Sequence, residues 1–345
     1  MTAKHVLVGF SGGVDSFYAS YLLKEQGYEV HPILFRFSGK ENIKKAEIFA
    51  QKLGLELTVI DYRDLFLEKV VKQFINYYKK GLTPNPCALC NREMKLDKLL
   101  QFSEKLDIPF IATGHYVTIG FSQLYGKRLI HRGIEKGKEQ SYFLSLISNK
   151  IMEKLILPLG KFFKSDVIDR ASSLGYSFKS ESQDICFIDE DINSFLEKYL
   201  KPEKGNFLLN DGTKVGEFSS YFKYTVGQRK GLGISYKYPL YVTAIIPDKK
   251  IIIVGPKEDL LKDSFYIKDI VWHVPYGEID WCSVSVQIRY RGKTASVKRI
   301  ELLKNGVVFV KLHPSLDAPT PGQVCAFYYG DILLGGGEIT TLERG

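Results

Sequence analysis

The 345-residue sequence contains no run of about 18 apolar residues, the length that a membrane span requires. Its first apolar run, of about six residues, is too short for a signal peptide. We therefore expect a cytoplasmic protein with no membrane partner. Cysteine is scarce and odd in number, with five residues in all. A structural disulfide framework is not expected in a reducing compartment, so any disulfide should be transient and catalytic.

Two familiar nucleotide-binding signatures are also missing, the Walker loop Gly-x4-Gly-Lys-Ser/Thr and the dinucleotide motif Gly-x-Gly-x-x-Gly. Instead, a β-like run at His5–Phe10 leads into Gly-Phe-Ser-Gly-Gly-Val-Asp-Ser at positions 9–16, and a helical pattern follows at Val14–Glu25. Gly12 and Gly13 allow a tight turn that brings backbone amides close to an anion. The helix adds its positive dipole end at the same place. This pattern predicts a pyrophosphate-binding loop with a different ATP chemistry.

The net charge of +9 is unevenly distributed. Between Lys127 and Arg170 there are ten basic and five acidic side chains, and between Val286 and Asn305 there are six basic and one acidic. Two separated basic segments suit a polyanion large enough to contact both. On charge alone, a nucleic acid and an ordinary lysine-rich surface remain equally open.

Residues 1 to about 113 alternate between β-like and helical patterns, which predicts an α/β fold with a Rossmann-like, doubly wound parallel sheet. The predicted strands are His5–Phe10, Val30–Phe37, Glu56–Asp61 and Pro109–Ala112, and the predicted helices are Val14–Glu25, Glu41–Leu53 and Asn91–Leu106. The carboxyl ends of such strands share one rim, where we expect the loop at 9–16, Arg36 and Gly114 to meet. Short β-like runs dominate beyond Leu200, typical of small barrels. The predicted domains are 1–200, a small central β domain at 201–262, and a C-terminal β-barrel at 263–345.

A second motif lies at Thr83–Asn91, with the sequence Thr-Pro-Asn-Pro-Cys-Ala-Leu-Cys-Asn. We interpret it as a proline-restrained loop that ends at a helix N-terminus, where the dipole would lower the pKa of the Cys90 thiol. Cys186 is about a hundred residues away, and nothing in the spacing shows that the two meet. Cys282 and Cys325 lie in β-like runs and are predicted to be small buried residues.

Of the histidines, His5 and His31 have no ligand or base at useful spacing and are expected to be structural or surface residues.

The loop resembles that of the PP-loop ATP pyrophosphatases, whose Ser-Gly-Gly-x-Asp-Ser motif occurs at Ser11–Ser16. Over nearly the whole chain, the sequence is similar to the bacterial tRNA-specific 2-thiouridylase family within that superfamily. The segments that carry the resemblance are Ser11–Ser16, Asn85–Cys87, Cys90–Asn91, Ala112–Tyr116, Lys138–Leu144, Asp184–Ile188, Thr225–Gly233, Arg289–Arg291, Pro321–Gln323 and Leu334–Gly337.

This resemblance implies a reaction in two stages. ATP, with Mg²⁺, would adenylate the C2 oxygen of the wobble uridine in the tRNA anticodon, which makes AMP the leaving group. Cys186 would carry a persulfide charged by a sulfur-relay protein or cysteine desulfurase, and its terminal sulfur would replace AMP, directly or as released sulfide. Cys90 would then attack Cys186 and form a transient disulfide. The product would be 2-thiouridine.

The resemblance also implies the binding residues. ATP would contact Gly9, Phe10, Ser11, Gly12, Gly13, Val14, Asp15, Ser16, Gly114 and Arg36, where relatives commonly have Met. The target base and the rest of the tRNA would contact Asn85, Pro86, Cys87, His115, Lys138, Glu139, Gln140, Arg289, Tyr290 and Gln323. The base must leave the anticodon stack, so a pocket beside the cysteines is expected.

Several alternatives remain open. Some relatives have Asp in place of Cys87, so an acid/base role proposed for that carboxylate does not transfer to this thiol. Cys87, Cys90 and Cys186 could together hold a 4Fe–4S cluster with one open iron. A zinc site is less favoured, because a lone Cys-x-x-Cys lacks a second ligand pair. Rival functions are a PP-loop ligase acting on a small substrate, a tRNA-binding protein with a vestigial loop, and a tRNA modifier acting at another position.

Overall fold

The computed structural model describes residues 4–177 and 185–341, and its first sheet contains five parallel strands. The strands of this region are β1 (Lys4–Gly9), β2 (Tyr28–Arg36), β3 (Thr58–Asp61), β4 (Phe110–Ala112), β5 (Val117–Ser122), β6 (Lys127–Arg132) and β7 (Leu155–Ile156). The sheet order is β3-β2-β1-β4-β7, and every neighbouring pair is parallel. The predicted α/β fold class is therefore confirmed.

Helices cover both faces of this sheet. They are α1 (Val14–Glu25), α2 (Ile43–Lys52), α3 (Arg63–Phe66), α4 (Lys72–Lys79), α5 (Pro86–Cys90), α6 (Leu96–Lys105), α7 (Asn149–Lys154), α8 (Lys164–Ser173) and α9 (Ile192–Glu197). Side chains of β1 alternate between the faces, as a strand requires. Leu7 packs in the cluster that contains Leu99 of α6, and Val6 packs in the cluster that contains Leu23 of α1.

The helix predicted at residues 91–106 begins earlier than expected. Asn85 caps α5, because its Oδ1 accepts the N–H of Ala88 at 3.1 Å, and Pro86 occupies the first helical position. Proline is well tolerated there, since that N–H has no partner within the helix. A π-helical segment at Asn91–Lys95 joins α5 to α6, so the helical run extends from residue 86 to 105.

Two β-rich units follow. The strands of the central sheet are β8 (Gly205–Leu208), β9 (Lys214–Phe218), β10 (Tyr241–Ile246) and β11 (Ile251–Gly255), in the order β10-β11-β8-β9. The remaining strands are β12 (Leu261–Trp272), β13 (Val284–Gln287), β14 (Thr294–Leu302), β15 (Val308–Asp317), β16 (Val324–Tyr329) and β17 (Ile332–Thr340). These six close into an antiparallel barrel, because β12 pairs with both β15 and β17. The predicted β-barrel is confirmed, while the exact domain boundaries near 200 and 262 stay a prediction.

The first unit and the barrel share both a sheet and a core. The hairpin of β5 and β6 continues the barrel sheet, since His131 pairs with Ile332 of β17. One cluster of buried side chains runs from Leu7 in the first sheet to Val286 and Ile339 in the barrel. The barrel is therefore packed against the sheet that carries the loop at 9–16.

Within residues 4–177 and 185–341, no helix has both the length and the apolar character that crossing a membrane requires.

Candidate active site

The loop after β1 is shaped by glycine and left open at the start of α1. Gly12 has a φ of +74°, and a Cβ there would come within 2.9 Å of the Cα of Ala46 in α2. The Ser16 hydroxyl donates to the Gly13 carbonyl at 3.0 Å, and the Gly13 N–H donates to Ser11 Oγ at 3.3 Å. Gly13 is the N-cap of α1 and provides no side-chain cap. The first backbone N–H groups of α1 therefore remain available to an anion.

The predicted rim is formed as expected. Gly114 follows β4 and lies so close to the loop that a Cβ there would be 2.8 Å from the carbonyl carbon of Asp15. Arg36 ends β2, and its Nη1 lies 3.4 Å from Oδ2 of Asp61. The structure thus brings together the three segments that the sequence placed at this rim. That ATP contacts Arg36 there stays a prediction.

Asp15 lies at the centre of a polar network that sequence analysis missed. The Lys164 ammonium, whose side chain is only 12% exposed, lies 2.6 Å from Oδ1 and 2.8 Å from Oδ2 of Asp15. The Tyr116 hydroxyl donates to the same Oδ1 at 2.7 Å. Tyr176 donates to the Gly12 carbonyl at 3.0 Å. A single lysine at the start of α8 carries no pattern that marks it in one sequence.

Three cysteines converge beside this rim. Cys87 and Cys90 are three residues apart on α5 and so share one face of the helix. Cys186 is distant from both in sequence, but it is close enough in the fold for its charge, like that of Cys87, to act on the Cys90 thiol. The Cys90–Cys186 pairing that the family resemblance implies stays a prediction. Residues 182–184 of the motif around Cys186 lie outside the described residues.

The expected low pKa of Cys90 is wrong. Because α5 begins at Pro86, Cys90 lies a full turn inside the helical run instead of at its N-terminus. Burial raises the pKa of the Cys90 thiol to about 12, and burial also raises the pKa of Cys186. The positive charge of Lys95 opposes this rise in the pKa of both thiols. Desolvation of the charged form is the largest cause of both raised pKa values.

Lys40 anchors the segment that carries Cys186. Its Nζ donates to the carbonyl of Phe187 at 3.0 Å and lies 2.6 Å from a carboxylate oxygen of Asp189. The Phe187 ring packs against Phe74 with a centroid distance of 5.4 Å. Lys40 lies just beyond the carboxyl end of β2, so this contact holds Cys186 at the rim.

His115 is buried and neutral. Its Nδ1 lies 2.7 Å from Oγ1 of Thr113. Burial, followed by the charge of Lys95, lowers the pKa of His115 to about 3. The ring can take part in hydrogen bonding to RNA, but it carries no charge for a phosphate at neutral pH.

Several residues predicted to contact tRNA make internal hydrogen bonds. Gln323 donates from Nε2 to the carbonyls of Thr83 and Pro84, each at 3.1 Å, and so ties the barrel to the loop before α5. Arg289 donates to the carbonyls of Val226 and Ala318, which joins the central unit to the barrel.

The segment at 138–144 makes internal contacts as well. Glu139 is buried and lies 3.1 Å from Arg132, and Gln140 accepts the N–H of Tyr116 at 3.0 Å. Tyr290 packs on Phe143 with a centroid distance of 4.6 Å. Direct RNA contacts by Lys138, Tyr290 and the other residues of this set stay a prediction.

One other expectation from the sequence is wrong. Cys325 is buried as expected, but Cys282, in a 3-10 turn before β13, is exposed. His5 and His31 are partly exposed, and parallel pairing of β1 with β2 places their ring nitrogens 3.0 Å apart.

Comparisons with known proteins agree with this geometry. Three family models match the chain: a tRNA methyl transferase HUP domain at residues 4–190, a tRNA methyl transferase PRC-barrel domain at 193–256, and an aminomethyltransferase beta-barrel domain at 262–339. Among solved structures, a predicted subunit of a tRNA methyltransferase from Methanocaldococcus jannaschii aligns over 57% of this chain and 86% of its own. At 22% identity and a TM-score of 0.35, that similarity is too low for a conclusion.

Curated relatives match at full length. The tRNA-specific 2-thiouridylase MnmA of Aquifex aeolicus is 40% identical over 97% of this chain and 98% of its own. The protein of the same name from Natranaerobius thermophilus is 38% identical over 98% of each chain. By its full-length similarity to these relatives and its match to the three family models, the chain belongs to the tRNA-specific 2-thiouridylase family.

Proposed function

We propose that this protein transfers sulfur to C2 of the wobble uridine of tRNA in an ATP-dependent reaction. The observation that carries the proposal is the Lys40 contact, which fixes the Cys186 segment at the same rim as the phosphate loop. Lys95 supports it, because its charge acts on Cys90, on Cys186 and on His115, which is next to Gly114. Activation and sulfur transfer would then occur in one cleft.

In the first stage, the loop at 9–16 and the N-terminus of α1 would bind the pyrophosphate portion of ATP. Lys164 is placed to neutralise phosphate charge, and Asp15 is the carboxylate that would hold Mg²⁺. Bound Mg²⁺ would offset charge on the phosphates during the reaction. The O2 atom of uridine attacks the α-phosphorus, pyrophosphate leaves, and the adenylyl group becomes attached to O2, so that O2 can later leave C2 as part of AMP.

In the second stage, the terminal sulfur of a Cys186 persulfide attacks C2 and AMP leaves. The Cys90 thiolate then attacks Sγ of Cys186, the sulfur–sulfur bond to the base breaks, and its electron pair stays on the 2-thiouridine. Release of sulfide from the persulfide before it attacks C2 is the alternative order. Either route leaves a Cys90–Cys186 disulfide, which a thiol reductant must reduce before the next turnover.

The partners follow from this chemistry. A sulfur-relay protein or cysteine desulfurase would supply the persulfide, and the basic segments at 127–170 and 286–305 would face the tRNA. Because tRNA is the substrate, we place the reaction in the cytoplasm. We also keep the predicted domain boundaries near 200 and 262 as part of this proposal.

Sulfur delivery by an iron–sulfur cluster is the second candidate mechanism. Cys87, Cys90 and Cys186 would hold three irons of a 4Fe–4S cluster, whose open iron binds sulfide. The donor set suits such a cluster, because thiolates are the usual ligands of its irons and the charges of Cys87 and Cys186 both act on Cys90. A single shared zinc fits less well. In the part of the chain that the structure describes, the sulfurs of Cys87, Cys90 and Cys186 do not all lie within 4.8 Å of one another.

The deciding experiment uses anaerobically purified protein. We would measure its iron and sulfide content, then its ATP-dependent conversion of tRNA uridine to 2-thiouridine with a persulfide donor. We expect the iron-free protein to be active. Cys90→Ser and Cys186→Ser should each abolish thiolation and leave tRNA affinity nearly unchanged. Cys282→Ser should behave as wild type. Activity that rises with iron content, and that Cys87→Ser abolishes, would establish the cluster route instead.

Two other outcomes would overturn the proposal. Full thiolation by Cys186→Ser would remove the persulfide assignment. AMP formation that needs a small substrate and no tRNA would favour the PP-loop ligase.

A further inference from the structure

His5, Glu29 and His31 form a compact group of nitrogen and oxygen ligands at the end of the first sheet away from the phosphate loop. Nδ1 of His5 lies 3.0 Å from Nε2 of His31, and each of these nitrogens lies 3.7 Å from Oε1 of Glu29. In the residues that the structure describes, this is the only group of three His, Cys, Asp or Glu side chains with all ligand atoms within 4.8 Å.

From this arrangement we infer that His5, Glu29 and His31 bind one divalent first-row transition-metal ion of the zinc type. The point equidistant from the three ligand atoms lies about 2.0 Å from each of them, within the range of zinc–imidazole and zinc–carboxylate bonds. Three protein ligands leave at least one coordination position for water.

The backbone holds the ligands in place without the metal. The register of the parallel pair β1–β2 places His5 directly opposite Glu29, and His31 lies two residues further along β2 on the same face. Both strands are interior in the sheet order, although their pairing with the outer neighbours begins only at Val6 of β1 and Ile33 of β2. A site built on paired strands is more rigid than one built on loops.

The side chains are accessible and their chemistry suits the ion. The side chains of His5, Glu29 and His31 are 43%, 54% and 37% exposed, so an ion can reach them from solvent. A hydrogen bond now links the two rings. A bound metal ion would replace the proton of that bond, and the carboxylate of Glu29 would offset part of the charge of the ion.

This site differs from the Mg²⁺ site proposed for ATP in both place and chemistry. Gly9 is four residues after His5 along β1, a distance of about 13 Å along an extended strand. Two imidazoles and one carboxylate favour Zn²⁺, Ni²⁺ or Cu²⁺, whereas Mg²⁺ prefers oxygen ligands in octahedral geometry. The inference is therefore independent of the proposed tRNA chemistry.

The test is isothermal titration of full-length, tag-free protein with ZnCl₂, after removal of metals and alkylation of the reactive thiols so that cysteines do not compete. We expect one saturable site in wild type. His31→Ala should weaken binding by at least about tenfold. His313→Ala, which removes an exposed histidine of the barrel, should leave it unchanged.

Glu29→Gln is the second variant, because an exposed carboxylate can be neutralised with little risk to folding. It should also weaken zinc binding, and the thermal midpoint should rise with Zn²⁺ in wild type but much less in Glu29→Gln. Absence of a saturable site in wild type would overturn the inference. Equal zinc affinity in wild type, His31→Ala and Glu29→Gln would overturn it as well.

Discussion

Nζ of Lys164 lies 2.6 Å from Oδ1 of Asp15, although 149 residues separate them in the chain. The lysine comes from the start of α8 and the aspartate from the first turn of α1. Their pairing brings a positive charge to the phosphate loop, which has no lysine of its own. In the proposed reaction, Lys164 would take the place that a loop lysine occupies in Walker-type sites.

Replacing Lys164 by Met should impair ATP activation. We expect tRNA-dependent pyrophosphate release to fall by about 10²-fold or more, because one charged donor to the phosphates is lost. tRNA affinity should change little, as measured by filter binding. Lys161→Met, which removes an exposed lysine three residues earlier, is the matched control. A normal rate for Lys164→Met would exclude this lysine from the ATP site.

Gly114→Ala should disturb the same site by steric means. The added Cβ would press on the backbone of Asp15, and we expect it to cost about 1–3 kcal/mol of unfolding free energy and most of the pyrophosphate release. Gly277→Ala adds the same methyl group where no atom lies within 4 Å, and should change stability by less than about 0.5 kcal/mol. Urea denaturation and pyrophosphate release, measured on both variants, test this; equal effects would contradict it.

The raised pKa of Cys90 predicts a pH profile for its reactivity. A thiol with a pKa of about 12 stays protonated at pH 8, so alkylation by iodoacetamide should be slow and should rise about tenfold per pH unit up to that pKa. Mass spectrometry of the Cys90 peptide, with exposed Cys282 as internal reference, gives the rate. Lys95→Ala should slow it further, because the charge of Lys95 lowers this pKa. A plateau near pH 9 would contradict the prediction.

Lys40→Ala should loosen the segment that carries Cys186. We expect oxidation to the Cys90–Cys186 disulfide to slow by about tenfold or more, because the two sulfurs are no longer held in position. Lys40→Gln can keep a hydrogen bond to the Phe187 carbonyl and should be less affected. Lys44→Ala, at an exposed position of α2, is the control. Disulfide formation at the wild-type rate in Lys40→Ala would show that Cys186 is held by other contacts.

Patterns local in sequence predicted the part of the site that is local in structure. The loop at 9–16 lies between an adjacent strand and helix, so its hydrophobic runs and glycines were enough to place it. Lys164 could not be found this way, since it reaches Asp15 only through the folded arrangement of α8 against α1.

Strands were predicted correctly from local patterns, whereas strand pairing and the environment of individual side chains were not. The short β-like runs beyond Leu200 predicted barrel strands, but no periodicity shows that β12 pairs with both β15 and β17. The meeting of His5 with His31 depends on the register of β1 against β2, which a single sequence does not encode visibly. The pKa of Cys90 was mispredicted because a prolyl residue, Pro86, starts the helix one turn earlier.

The continuous core has a consequence for folding. Sequence comparison divides the chain into three modules, yet Leu7 and Val286, from the first and the last, lie in one cluster of buried side chains. Neither module can unfold without baring apolar surface on the other, so we expect their unfolding to be one cooperative transition in calorimetry. Modules that sequence comparison separates are thus joined in stability, and removing the barrel would yield a misfolded chain instead of a smaller enzyme.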